Sequence, residues 1–125
     1  DHRDLHSFPT RRSSDLLSYH YFRNIGENRP NFVSLKNSYH GETLGALAIS
    51  DTGLYKDVYS DILIKTLQVK NPINQDEDEA LEAIKDLENL LKTNHKTICA
   101  FIVEPLVQCA GVMNMYHPIY LTKAK

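Results

Sequence analysis

The chain has 125 residues, 42% of them hydrophobic and 24% charged, with a formal net charge of −2. This length allows one domain at most, and the small charge gives no electrostatic argument for a nucleic-acid partner. The longest apolar runs are too short to cross a bilayer, so no membrane partner is predicted. The two cysteines, Cys99 and Cys109, favour reduced intracellular thiols over a disulfide framework. The composition therefore predicts a soluble, cytoplasmic protein.

The first 16 residues differ in character from the rest. They carry many charges and almost no apolar periodicity, and residues 7–16 (SFPTRRSSDL) resemble translated sequencing adapter. Residues 1–16 are therefore interpreted as a non-native segment, and residues 17–125 as the native part. The alternative interpretation is that Arg11 and Arg12 form a basic arm for a phosphate partner.

The first half of the native part predicts helix, strand and helix in turn. The first helix has four apolar residues on one face, Leu17, Tyr21, Phe22 and Ile25. Gly26 can end this helix in the left-handed conformation. Residues 32–35 predict a short strand, and residues 36–41 a loop. A short helix follows, with Leu44, Leu47 and Ala48 on its face, and residues 55–61 show no period and predict a loop.

The second half predicts strand, helix and strand. Residues 62–69 are predicted to form the first strand. Asn74 and Glu77 have the spacing of a capping box, which predicts the start of the helix. The helix that follows has a buried face of Leu81, Ile84, Leu87 and Leu91. The acidic residues 76–79 suit the positive end of this helix, and a divalent-metal site is the alternative. Residues 98–103 are apolar throughout, as in a parallel strand covered on both faces, which indicates an α/β fold.

Glu104 directly follows this last predicted strand. Ligands of open α/β sheets gather at the carboxyl ends of the strands. A buried carboxylate is costly unless it is paired or hydrogen-bonded. Glu104 is therefore either part of a ligand site or a structural carboxylate bonded to an arginine or to backbone amides.

Residues Tyr39, His40 and Gly41 also follow a predicted strand. The Tyr39 ring could stack on a flat ligand, and Gly41 would let the backbone come close to it. The alternatives are that Tyr39 packs on the core and that His40 makes a hydrogen bond within the loop. Histidine and cysteine residues do not occur at metal-ligand spacing, so no metal is predicted.

Two segments together resemble the class III aminotransferases, which use pyridoxal phosphate. They are Tyr39-His-Gly-Glu-Thr43 and the run from Val103 to Pro118, and the resemblance extends over about residues 17–125. The Val107-Gln108 step after Glu104-Pro105 is most similar to the biotin-synthesis branch of the family. The resemblance implies an α/β fragment of the large domain of a fold-type I pyridoxal-phosphate-dependent transferase. That fold has a mostly parallel sheet flanked by helices, and the full-length protein would be a homodimer.

The resemblance also implies roles for the candidate residues. Tyr39 would stack on the cofactor and touch the substrate, His40 and Gly41 would adjoin it, and Glu104 would join the polar network beneath it. Tyr39 and Glu104 should therefore converge at neighbouring strand ends. Cys109 stands where the biotin branch usually has glycine, so its side chain is expected to crowd the loop. The second glutamate of the ornithine and 4-aminobutyrate branches is absent here.

The reaction implied is transfer of an amino group from S-adenosylmethionine to 8-amino-7-oxononanoate, giving 7,8-diaminononanoate. Lysine is an alternative donor. In the family, the Schiff-base lysine and the aspartate at the pyridine nitrogen lie beyond Lys125, and the phosphate-binding turn lies before Leu17. We therefore expect the 125 residues of this chain to contain no catalytic residue. The isolated chain is expected to be inactive and marginally stable. The alternatives are another class III aminotransferase acting on a different amine, and a non-catalytic binding or assembly module.

Overall fold

The computed structural model describes residues 14–125, and residues 1–13 lie outside the description. The interpretation of the first 16 residues as non-native, and its alternative at Arg11 and Arg12, therefore fall almost wholly outside the described residues. The helices are α1 Ser14–Asn24, α2 Leu44–Ile49, α3 Gly53–Lys56, α4 Glu77–Asn94 and α5 Ile119–Ala124, with 3₁₀ turns at Asp57–Ile62 and His95–Thr97. The strands are β1 Asn31–Leu35, β2 Leu67–Val69, β3 Ile98–Ile102, β4 Val107–Gln108 and β5 Asn114–Met115.

Three of the strands form a parallel sheet in the order β2-β1-β3. Val33 of β1 is aligned with Leu67 on one side and with Phe101 on the other. Because all three strands run the same way, their carboxyl ends meet at one edge of the sheet. This arrangement confirms the predicted α/β fold with a parallel sheet. The antiparallel ribbon of β4 and β5 was not predicted.

One face of the sheet packs against α4 and α5. Apolar side chains of all three strands and both helices make this core: Val33, Leu35, Val69, Ala80, Ala83, Ile84, Leu87, Ile98, Tyr116 and Tyr120. The Tyr116 and Tyr120 rings meet edge to face, with their centroids 5.8 Å apart. The predicted α4 face is correct at Ile84 and Leu87, whereas Leu81 and Leu91 are only half-buried.

Helix α4 has its N-cap two residues after the position predicted by the capping box. Asp76 is its N-cap, and the Asp76 Oδ1 atom accepts a hydrogen bond of 2.9 Å from the Glu79 backbone N–H. Asn74 instead has a φ of 62°, so the predicted Asn74–Glu77 pairing is wrong. Asn74 suits this left-handed turn because its short polar side chain tolerates positive φ, which leaves the capping position to Asp76.

The opposite face carries a smaller core, in which Phe32, Ile49 and Cys99 are buried against Tyr19 and Phe22 of α1. The apolar face predicted for α1 is therefore wrong except at Phe22. Three of its members are largely exposed: Leu17 (63%), Tyr21 (60%) and Ile25 (52%). Tyr19 and Phe22 are three residues apart and share the face that contacts the sheet.

The segment between α2 and β2 also differs from the prediction. Residues 55–61 were predicted as a loop but lie in α3 and the following 3₁₀ turn, and the strand predicted over 62–69 is only Leu67–Val69. The Thr66 hydroxyl and the Lys56 ammonium group both donate to the Ala48 carbonyl, at 2.8 and 3.1 Å. These tethers keep the segment close to α2, so the strand begins late. Within residues 14–125, no helix is both long and apolar enough to cross a membrane.

Candidate functional site

The Glu104 carboxylate lies two residues beyond the end of β3 and joins two loops. Its Oε2 atom accepts a hydrogen bond of 3.0 Å from the Tyr39 backbone N–H. Its Oε1 atom accepts one of 3.2 Å from the Cys109 backbone N–H. Because β1 and β3 are neighbours in the sheet, the loops that follow them are brought together at this carboxylate.

The structure thus brings Tyr39 and Glu104 together, but through the Tyr39 backbone. Both contacts are the backbone-amide bonds that the sequence left open as the structural alternative for Glu104. Hydrogen bonds to a charged group contribute about 1.5–3 kcal/mol each. Glu104 is therefore positioned to fix the loop that carries Tyr39, whatever else it contacts.

Tyr116 contacts the backbone of Glu104. The Tyr116 hydroxyl donates a hydrogen bond of 2.6 Å to the Glu104 carbonyl oxygen, and the Tyr116 backbone N–H donates to the Leu106 carbonyl at 3.1 Å. Leu106 has a φ of 67°, so the chain turns sharply two residues after Glu104. Burial raises the pKa of the Tyr116 phenol, so its hydroxyl remains a donor at neutral pH.

The Tyr39 side chain is half-buried, and its hydroxyl donates to the Glu42 carboxylate at 2.9 Å. The next residue, His40, donates its backbone N–H to the Ser50 hydroxyl at 2.9 Å. Burial lowers the pKa of the His40 imidazole, and the nearby Glu104 charge opposes that shift. His40 is therefore neutral at neutral pH. Among the described residues, His40 Nε2 and Ser38 Oγ are buried without a hydrogen-bond partner.

Gly41 bends the loop with a φ of 122°, a value that residues with a side chain rarely adopt. A Cβ atom at Gly41 would also lie 3.4 Å from the Ala46 Cβ atom. Helix α2 starts directly afterwards, where Thr43 Oγ1 accepts a hydrogen bond of 3.3 Å from the Ala46 backbone N–H. The loop from Tyr39 to Gly41 is thus held by Glu104 at one end and by α2 at the other.

Gln108 is a buried residue of this region whose role was not predicted from the sequence. Its side chain is fully buried and forms hydrogen bonds to Lys36, Asn71 and Asn114. The sequence feature that could have indicated a role is a carboxamide directly after the apolar Val107 and shortly before Gly111. A carboxamide that becomes buried needs hydrogen-bond partners. The turn between β4 and β5 also lies close to the loop that follows β1 (the β1 loop). A Cβ atom at Gly111 would lie only 2.5 Å from the Asn37 carbonyl oxygen of that loop.

Cys109 does not crowd the loop, contrary to the expectation from the sequence. Its thiol is free and its side chain exposed. Its φ is outside the left-handed region, so a side chain at this position adds no backbone strain. Cys99 is buried within β3, as predicted.

The acidic residues at the start of α4 line an open cleft with Asn74, and three of them, Asp76, Glu79 and Glu82, have partners. Asp76 caps the helix. The Lys70 ammonium nitrogen lies 2.7 Å from Glu82 and 3.5 Å from Glu79. The hydrogen bond to Glu82 raises the pKa of Lys70 and lowers that of Glu82. In the part of the chain that the structure describes, no three potential metal ligands are grouped to hold an ion.

The family model of the class III aminotransferases matches residues 16–125. The adenosylmethionine-8-amino-7-oxononanoate aminotransferase of Helicobacter pylori is 46% identical over 110 residues, which cover 86% of this chain and 25% of the relative. The enzyme of the same name from Anoxybacillus flavithermus is 35% identical over 112 residues, covering 84% and 25%. The chain thus spans about a quarter of the length of these curated relatives.

Solved structures of transaminases share the fold. An amine transaminase from an uncultivated Pseudomonas species, in its pyridoxal-phosphate-bound form, has a TM-score of 0.81 and 25% identity, covering 91% of this chain and 28% of that one. The adenosylmethionine-8-amino-7-oxononanoate aminotransferase of Methanocaldococcus jannaschii has a TM-score of 0.75 and 23% identity, covering 86% and 23%. These likenesses confirm the predicted fold, part of a fold-type I transferase. Together with the match over residues 16–125, they lead to one conclusion: the chain belongs to the class III aminotransferases.

Proposed function

We propose that this chain is part of a pyridoxal-phosphate-dependent aminotransferase of biotin synthesis. The reaction would transfer an amino group from S-adenosylmethionine to 8-amino-7-oxononanoate, giving 7,8-diaminononanoate. The observation that carries this proposal is the 46% identity with the Helicobacter pylori enzyme of that name. Relatives from Saccharomyces cerevisiae and Staphylococcus aureus, at 32% and 31% identity, have the same name.

The residues at the strand ends fit a flat, polar ligand such as pyridoxal phosphate. Tyr39 is half-buried, and the buried atoms on either side of it, Ser38 Oγ and His40 Nε2, have no hydrogen-bond partner among the described residues. Buried polar atoms are rarely left without partners in a complete site. The position of these atoms at the carboxyl ends of parallel strands is where α/β folds bind ligands.

Each of these residues has a distinct part in the proposed site. When bound, pyridoxal phosphate supplies the electron sink for amino transfer. The Tyr39 ring would stack on the cofactor and contact the substrate. His40 would present a neutral imidazole, and Gly41 would allow close approach of the backbone. Glu104 would join the polar network that holds the cofactor, and it fixes the Tyr39 loop through the bond to the Tyr39 N–H.

The test is an assay of the full-length protein that carries this sequence, with pyridoxal phosphate added. We expect formation of 7,8-diaminononanoate from 8-amino-7-oxononanoate when S-adenosylmethionine is the donor. Turnover with lysine but not with S-adenosylmethionine would support the proposed reaction but with lysine as the amino donor. No product with either donor, in a protein that binds the cofactor, would contradict the proposal. Gel filtration of the same sample tests the proposed homodimer.

A different amine substrate is the second candidate. It is favoured by the likeness to the amine transaminase of the uncultivated Pseudomonas species, which has the higher of the two TM-scores, 0.81. Under this alternative, the full-length protein would transfer amino groups from simple amines to a keto acid and would leave 8-amino-7-oxononanoate unchanged. The same assay with both acceptors separates the two candidates.

A further inference from the structure

The Gln108 carboxamide connects three segments at the strand ends. Its Nε2 group donates a hydrogen bond of 2.9 Å to the Lys36 carbonyl oxygen, directly after β1. Its Oε1 atom accepts bonds of 3.0 Å from the side-chain amides of Asn71, after β2, and Asn114, in β5. Asn114 also donates to the Pro72 carbonyl at 2.8 Å. One fully buried amide therefore ties the ribbon to the ends of both β1 and β2.

The same ribbon is tied to the end of β3 through the residue that follows Gln108. The Cys109 N–H donates to Glu104, and Glu104 accepts from the Tyr39 N–H. Lys36 and Tyr39 belong to one loop, so this loop is held at its start by Gln108 and three residues later by Glu104. The backbone between these two contacts therefore has little freedom to move.

We propose that Gln108 is a positioning residue for the cofactor site, which sets where the Tyr39 loop lies relative to Glu104. This role rests on the proposed function, because it matters only if Tyr39 and Glu104 form that site. A leucine at position 108 would fill a similar volume but would remove the hydrogen-bond partner of the Lys36 carbonyl and of the Asn71 amide. Asn114 would keep only its bond to the Pro72 carbonyl. Buried polar groups that lose a partner draw in water or move, and either change would release the loop.

Amide hydrogen exchange of the full-length protein without cofactor tests the positioning directly. We expect Gln108→Leu to speed exchange at the Tyr39 and Cys109 amides about tenfold, the effect of losing one typical buried hydrogen bond. The matched control is Gln68→Leu on β2. Gln68 is a half-buried glutamine, and its Nε2 atom has no hydrogen-bond partner among the described residues. Exchange at Tyr39 should therefore be unchanged in the control.

Gln108→Glu supplies a second variant in case Gln108→Leu fails to fold. A protonated carboxyl at this position can still donate to the Lys36 carbonyl, whereas the ionised form cannot. The groups that face position 108 are two carboxamides and a carbonyl, and none of these titrates. Protection of the Tyr39 amide, relative to the unaltered protein, should therefore fall at high pH and recover as the pH is lowered. Loss of protection that does not depend on pH would overturn the proposal.

Cofactor binding provides the readout that a purely structural role would leave unchanged. We expect Gln108→Leu to weaken pyridoxal phosphate binding about tenfold and to reduce the circular dichroism of the bound cofactor, while α4 keeps its exchange protection. Unchanged Tyr39 exchange, or faster exchange with unchanged cofactor affinity and dichroism, would overturn the positioning role. Failure of the unaltered protein to bind pyridoxal phosphate would instead overturn the proposed function.

Discussion

Helix α4 and the strand-end cluster of Glu104, Tyr39 and Gln108 are stabilised in different ways. Helix α4 has 18 residues, a local cap at Asp76 and a buried stripe at helical spacing. The cluster instead depends on single hydrogen bonds between residues far apart in sequence, 65 positions for Tyr39 and Glu104 and 72 for Lys36 and Gln108. Apolar burial is spread over many atoms and tolerates small shifts, whereas a hydrogen bond depends on one atom pair. Changes to α4 should therefore affect stability, and changes to the cluster should affect ligand binding.

The largest loss of stability should come from Leu87→Ala in α4. Leu87 is 3% exposed, and truncating such a leucine costs about 2–5 kcal/mol through lost burial and the cavity left behind. Amide exchange of α4 in the full-length protein measures this cost as local unfolding. The control Glu88→Ala changes an exposed neighbour and should stay within about 0.5 kcal/mol. If cofactor affinity fell as steeply as helix stability, the separation between the two regions would be wrong.

Gly111→Ala should have a smaller effect than Leu87→Ala, similar in size to that of Glu104→Gln, and it should act on the cluster. The new methyl group would lie 2.5 Å from the Asn37 carbonyl oxygen, so the ribbon and the β1 loop must separate. Overpacking of this kind costs about 1–3 kcal/mol. Exchange at the Tyr39 and Cys109 amides should accelerate, while the exposed neighbour variant Ala110→Ser should behave like the unaltered protein. Equal exchange in both variants would mean that the ribbon does not hold the loop.

Glu104→Gln should weaken the cluster while keeping the volume of the side chain. A carboxamide offers one acceptor oxygen, so one of the two N–H groups loses its partner, and the bond that remains is no longer charge-assisted. The expected cost is about 1.5–3 kcal/mol, seen as faster exchange at Tyr39 or Cys109 and weaker pyridoxal phosphate binding. Glu42→Gln is the matched control, because a carboxamide can still accept from the Tyr39 hydroxyl. Equal effects of the two changes would show that Glu104 has no special position.

Asp76→Ala should destabilise the start of α4 by about 1 kcal/mol, the usual cost of losing an N-cap. The change removes the bond to the Glu79 N–H and should be confined to the first turn of the helix. Asn74→Gly tests the capping box predicted from the sequence, since glycine keeps the left-handed backbone available. If Asn74→Gly accelerated amide exchange in the first turn of α4 more than Asp76→Ala does, the capping box predicted at Asn74 and Glu77 would be correct after all.

The smallest effect should be a pH dependence that comes from His40. Its pKa is lowered in the folded protein by burial, so below the unfolded value of about 6.5 the unfolded state binds more protons. Stability should therefore fall as the pH decreases from about 6.5 toward the folded pKa. His40→Gln should remove this part of the pH dependence. An unchanged slope in that variant would show that His40 is already solvated in the folded state.

The sequence predicted α4 from apolar residues at helical spacing, and β1 and β3 from short apolar runs, because both are local signals. The family resemblance also implied that Tyr39 and Glu104 converge at neighbouring strand ends. They do so through the Tyr39 backbone N–H, whereas the Tyr39 hydroxyl donates to Glu42. The role of Gln108 was missed because its partners come from distant segments and no local pattern marks them. The α1 face was wrong because Leu17 and Tyr21 are apolar yet exposed, and apolar spacing does not say which face has a neighbour. The end of the strand predicted over 62–69 was correct, but its start was displaced by side-chain tethers to α2.

The central claim is that Tyr39 and Glu104 belong to one pyridoxal phosphate pocket. A crystal structure of the full-length protein with the cofactor bound tests it most directly. We predict that the Tyr39 ring stacks on the pyridine ring at van der Waals distance, about 3.5–4 Å, while Glu104 keeps its bond to the Tyr39 N–H. A cofactor bound elsewhere, with the Tyr39 ring out of contact with it, would contradict the account.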